Sequence, residues 1–135
     1  MTEVMECIFS RRSVREYDDK RVSALGITTI IAAGNYAPSA GDLRNRLFII
    51  MSEHPLKICV CSTPHKKYGV RGEKLYNIQN CAASVQNMLL AAHDLGLGAC
   101  WVGAFLEEKV IKTFNLKKGV RPQAIITVGY KKEVI

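Results

Sequence analysis

Leu75-Tyr76-Asn77-Ile78-Gln79-Asn80-Cys81-Ala82-Ala83-Ser84-Val85-Gln86-Asn87-Met88-Leu89-Leu90-Ala91-Ala92-His93-Asp94-Leu95 runs directly into Gly96-Leu97-Gly98-Ala99-Cys100-Trp101-Val102-Gly103-Ala104-Phe105. In the first stretch Ile78, Cys81, Ala82, Val85, Met88, Leu89 and Ala92 recur at helical spacing and form one wide stripe. The stripe is rich in small residues, which predicts a central core helix. Gly96 and Gly98 end it at positions that tolerate left-handed backbone. Ala99 to Val102 then reads as a short strand.

The flanking sequence repeats this alternation. Thr2 can cap a short helix bearing Val4, Met5, Ile8 and Phe9. Ser23 can cap a second, with Ile27, Ile30 and Ile31 on one face, ended by Pro38. Leu47–Met51 and Ile58–Cys61 read as strands, and the residues between them are too few for a packed helix. Lys66 to Lys74 reads as a loop. Glu107 to Phe114 reads as a helix with acidic residues at its start, which suits the helix dipole. Gln123 to Tyr130 is a β-branched strand. Helices alternating with single strands predict a layered α/β or α+β fold, in one domain over residues 1–135.

Composition narrows the function. No apolar run approaches the ~20 residues that span a bilayer. Met1-Thr2-Glu3-Val4 lacks the features of a signal peptide, so a cytoplasmic, soluble protein is expected. The five cysteines are odd in number and contain no Cys-x-x-Cys pair, which argues against a disulfide framework or zinc ribbon. A metal role for Cys59 and Cys61 with His65 is open but has no standard ligand spacing behind it. The formal charge of +7 suits nucleic acid, acidic lipid or a phosphorylated cofactor, or simply a basic surface. The basic residues are scattered, and no nucleic-acid motif occurs.

Three segments can carry chemistry. Arg11-Arg12-Ser13-Val14-Arg15 offers guanidinium forks and a hydroxyl for a phosphate, or is a solvated turn. Pro38-Ser39-Ala40-Gly41 lets backbone approach a planar ligand, or only ends a helix. Trp101-Val102-Gly103 can cover a flat ring and present the Gly103 N–H, or Trp101 is simply core. It follows a helix, unlike a dinucleotide fingerprint. Histidines are scattered, no Gly-x-Ser-x-Gly elbow occurs, and no carboxylate pair stands out. Chemistry borne by a cofactor fits this lack of protein nucleophiles.

Taken together these segments resemble the nitroreductase-like flavoproteins. Arg11-Arg12-Ser13-Val14-Arg15-Glu16-Tyr17 is similar to their opening motif, and Pro38-Ser39-Ala40-Gly41-Asp42 to the second. Tyr68-Gly69-Val70-Arg71-Gly72, the long helix and Trp101-Val102-Gly103-Ala104-Phe105 resemble their helix and flavin-covering strand. Val120-Arg121-Pro122 through Val128-Gly129-Tyr130 resembles the last strand. The resemblance implies a three-layer sandwich with a central mixed sheet, dimeric, holding FMN at two shared sites. It implies that Arg11, Arg12, Ser13 and Arg15 hold FMN. Pro38, Ser39 and Ala40 would come from the partner subunit, and Trp101, Val102 and Gly103 would lie over the flavin.

The implied partners are NAD(P)H and a nitro compound, quinone or similar acceptor. A paralogue that binds flavin with little turnover, and a small basic nucleic-acid-binding domain, are the alternatives. The chain departs from the family pattern in three places. A helix usual between the first two strands is missing. Asp42 and Arg44 stand where asparagine and glutamine are usual. Lys131-Lys132-Glu133-Val134-Ile135 replaces a longer basic tail, so Lys131 or Lys132 is the candidate to meet the phosphate.

Overall fold

The computed structural model describes residues 1–133; Val134 and Ile135, the end of the segment considered for the phosphate, lie outside the described residues. Helix α1 spans Glu3–Ser10 and α2 spans Ala24–Asn35. Strands β1 (Arg46–Met51) and β2 (Leu56–Ser62) follow, then a single turn α3 (Gly69–Arg71), α4 (Asn77–Asp94), β3 (Gly98–Val102), α5 (Glu107–Thr113) and β4 (Arg121–Gly129). Both expected caps form: Thr2 Oγ1 accepts from Met5 N at 3.4 Å and Ser23 Oγ from Gly26 N at 3.0 Å.

The strands lie in the order β1-β2-β4-β3, and every neighbouring pair is antiparallel. The sheet is mixed only through the isolated parallel bridge between Ser13 and Ala99. Alternation along the strands separates two cores. Ile58, Val60, Ile126 and Val128 face α2 and α4, together with Ile30, Val85, Met88 and Ala92. Cys59 and Cys61 face α5 and its following turn, against Val110 and Leu116. This makes three layers, with the sheet in the middle. Among the described residues no helix is long and apolar enough to cross a membrane.

Three sequence expectations need correction. Ile78 is 48% exposed and lies off the core stripe, whereas the polar Asn77, Asn80 and Ser84 are buried in it. Apolar spacing alone missed that these three side chains find hydrogen-bond partners on distant segments; Ser84 Oγ, for example, donates to Gly34 O at 2.7 Å. Lys66 to Lys74 is not all loop, because α3 and a π turn at Gly72–Tyr76 lead straight into α4. Helix α2 ends at Asn35, before Pro38. The direct β1–β2 connection stands as expected: the strands form a hairpin with no helix between them.

Candidate functional site: the β3 edge and the loop after α2

The segment after α1 crosses the free edge of β3 and reaches the end of β4. Val14 N donates to Ala99 O at 3.0 Å, and Tyr17 bridges Lys131. Glycines make this crossing possible. Gly98 and Gly129 face each other across β3 and β4. A Cβ on Gly98 would sit 2.6 Å from Val14 Cβ, and one on Gly129 2.8 Å from Tyr17 Cδ1. Tyr17 then fastens the segment, sharing a 2.8 Å hydrogen bond with Thr127 Oγ1. Burial pushes its phenol up from its ordinary range, so it stays neutral.

This crossing gathers several of the expected residues. Arg12 and Lys131 line one cavity of about 260 Å³ with Val14, Gly96 and Gly98. A second, of about 670 Å³, shares Gly96 and Lys131 and extends to Tyr130 and Lys132. Arg12 Nη1 donates to Phe9 O at 3.0 Å and Arg11 O at 2.9 Å, capping the negative end of α1. The Arg11 and Arg15 guanidiniums make no hydrogen bond among the described residues. Ser13 is exposed beside β3. Trp101 is 42% exposed, which removes the reading of it as core. Val102 is half-buried, and Gly103 is exposed, where a Cβ would meet only Trp101 Nε1, at 3.9 Å. Cys100 is buried, its thiol turned toward Trp101 O at 3.7 Å.

Pro38, Ser39 and Ala40 lie elsewhere. Ala40 N donates to Asn80 Oδ1 at 2.9 Å, near the start of α4. The end of α1 meets the other end of that helix, where Ser10 Oγ and His93 Nε2 are 2.8 Å apart. Thirteen residues of helix separate Asn80 from His93, about 20 Å at 1.5 Å per residue. One chain therefore does not bring its own loop to its own basic cluster.

A polar network shapes this loop, and sequence reasoning missed it. Arg46 is buried and holds three carbonyls: Ala37 O at 2.7 Å, Asn80 O at 2.8 Å and Pro38 O at 3.1 Å. Its Nε is buried without a partner among the described residues. Desolvation pulls the guanidinium below its ordinary value. Asn45 Nδ2 donates to Asn77 Oδ1 at 2.8 Å, and Asn80 Nδ2 to Asn45 Oδ1 at 3.3 Å. The available signal was an arginine opening the apolar run Leu47–Met51, and asparagines three apart on a core stripe. Asp42 and Arg44, the two departures from the family loop, both have positive φ, at 54° and 50°. They pair at 3.0 Å.

Comparison with known proteins agrees with this arrangement. The model of the "Nitroreductase family" matches residues 8–75 and 53–130. A Methanothermobacter thermautotrophicus protein named "Putative NADH dehydrogenase/NAD(P)H nitroreductase" is 34% identical, over 97% of this chain and 78% of its own. A crystal structure of the same name from Bacteroides thetaiotaomicron superposes with a TM-score of 0.86 at 28% identity, covering 100% of this chain and 90% of that one. A "Nitroreductase with Bound FMN" from Bacteroides fragilis has the same fold, with a TM-score of 0.81 at 23% identity over 100% and 91% of the two chains. With the motifs in order along the sequence and the three-layer fold around them, the chain belongs to the nitroreductase family.

Proposed function

We propose that this chain is an FMN-dependent oxidoreductase that takes hydride from NAD(P)H and passes electrons to a nitro compound, a quinone or a similar small acceptor. One observation carries the reading: cationic Arg12 and Lys131 line one cavity at the start of β3, whose far end bears the exposed Trp101 and runs into Gly103. The residues fit the group. Two long cations suit a phosphate, and side-chain-free Gly96 leaves open space beside them. Bound FMN would supply the two-electron chemistry. Arg11, Arg12, Ser13, Arg15 and Lys131 would hold its polar end, while Trp101, Val102 and Gly103 would line its ring. Relatives named for NAD(P)H nitroreductase and for FMN reductase (NADPH) support the same chemistry.

The proposal includes a homodimer in which Pro38, Ser39 and Ala40 of one chain complete the site of the other. Two features support it. The loop lies about a helix length from its own basic cluster. Helix α1 has no buried residue, and its Val4 and Phe9 are 67% and 60% exposed. Residues 1–135 act here as one domain. A cytoplasmic setting is part of the reading, supported by five free thiols. The test is the absorption spectrum of the purified protein, followed by NAD(P)H oxidation with a quinone acceptor. Flavin bands and turnover are expected. Flavin without turnover would favour the paralogue reading, and binding of nucleic acid without flavin would overturn both.

A further inference from the structure

Ser62 ends β2 and Asn77 opens α4, at the end of the sheet away from Lys131. Between them lies a cavity of about 320 Å³, a size typical of small-molecule sites. Its floor is polar although buried: Ser62 is 3% exposed and Asn77 9%. Each is only half committed. Ser62 Oγ accepts from Gln123 Nε2 at 3.1 Å, and Asn77 Oδ1 accepts from Asn45 Nδ2 at 2.8 Å. The Ser62 hydroxyl proton and the Asn77 amide nitrogen have no acceptor among the described residues, and both residues line the cavity. Donors left free where they open onto a cavity favour an acceptor from outside the chain.

The rim adds more donors. His65 Nδ1 accepts from Lys67 N at 3.0 Å, which leaves Nε2 as the N–H of the ring. Arg121 commits Nε and Nη2 to Glu107, at 3.0 and 3.2 Å, and keeps Nη1. Lys66 completes the rim, and Glu73 is the one carboxylate among the lining residues. Donors outnumber acceptors, so the matching ligand is rich in acceptors and carries negative charge.

We propose that this cavity is a subsite for a terminal oxyanion of the substrate, either the phosphate monoester of a dinucleotide or the carboxylate of an aromatic acceptor. The oxidoreductase reading identifies which molecule brings the oxyanion; the donor set alone specifies the chemistry. His65 and Asn77 also wall a crevice beneath Ala40, so the cavity adjoins the loop assigned to the partner's flavin.

The test is a ¹⁵N NMR titration of the protein as purified, with adenosine 2′-phosphate and with benzoate. Adenosine and benzamide serve as uncharged controls, and flavin content is read separately by absorbance. The Asn77 side-chain amide should shift saturably with at least one oxyanion and with neither control. Saturation by the phosphate alone assigns the site to the dinucleotide, and by benzoate alone to the acceptor. Lys66→Met should weaken that binding about two- to fivefold, and Glu73→Gln should tighten it to a similar degree, as one partly exposed charge permits. No saturable shift at Asn77, equal shifts with the controls, or unchanged affinity in both variants would overturn the assignment. Oxyanion binding in a protein that takes up no flavin would count against the oxidoreductase reading alone.

Discussion

Arg46 shows how one buried charge organises a loop. Its fork joins carbonyls from the end of α2, from the loop and from α4. Arg46→Met keeps an apolar stem and strands those three acceptors. Removing a desolvated cation offsets part of the loss. A net destabilisation of roughly 1–3 kcal/mol is expected by urea unfolding; a more stable variant would mean that desolvation dominates. Glu107 makes a weaker case. Its hydrogen bonds with Arg121 hold its carboxyl below the ordinary value. A depressed folded pKa gives stability that is present above the unfolded value and is lost as pH falls through the folded one. The pair is partly exposed, so Glu107→Gln should cost under about 1 kcal/mol at pH 7. That difference should vanish in acid, once the carboxyl is protonated in both states. Thiols can be read in the same way. Burial pushes Cys81 up to about 12, and hydrogen bonding to Cys61 with burial raises Cys59. Native protein should label quickly at Cys7 alone, with the four buried cysteines reacting only on unfolding. Cys100→Ser should keep flavin reduction within about tenfold, since no protein thiol carries the electrons.

At the scale of elements, the candidate site depends on how closely the Val14–Tyr17 segment lies on β3 and β4. That contact needs backbone without side chains at Gly98 and Gly129. Gly98→Ala places a methyl against Val14 and pushes the segment off the edge of β3. The expected cost is about 1–3 kcal/mol in stability, as for other overpacked contacts. Arg12, Ser13 and Lys131 would lose register together, so FMN affinity should fall in the same variant. Normal flavin affinity in a destabilised Gly98→Ala protein would separate the crossing from the site. Helix α4 is the ruler of the molecule, with the loop network at one end and the α1 contact at the other.

At the scale of the whole molecule, that ruler leads to association. On the proposed reading the loop and the basic cluster meet around one flavin, and a chain that keeps them about 20 Å apart then needs a second copy. A two-fold dimer is expected, sedimenting at twice the 15.0 kDa chain mass at low micromolar concentration. Mixed variants test the sharing directly. Arg12→Ala and Ala40→Arg should each lower FMN binding in homodimers. Refolded together, they should form heterodimers with one intact site and one doubly altered site, recovering one FMN per dimer. No recovery would place the whole site within a single chain.

Local chemistry made much of this protein legible before folding was considered. Hydroxyl caps at Thr2 and Ser23, the spacing of Val85, Met88, Leu89 and Ala92, and the β-branched run ending at Tyr130 each act over a few residues. They therefore marked α1, α2, α4 and β4, and the order of motifs marked the family. The absence of a helix between β1 and β2 followed from a connection too short for one. What neighbours in sequence do not carry was decided only by tertiary structure. Burial of Arg46, Asn77 and Asn80 depends on carbonyls and amides brought from distant segments, so their polarity read as surface. The exposure of Ile78 depends on which side of α4 meets the sheet. The separation of Ser39 from Arg12 depends on the length and direction of α4, because a helix carries its two ends apart however near the motifs stand in a family pattern.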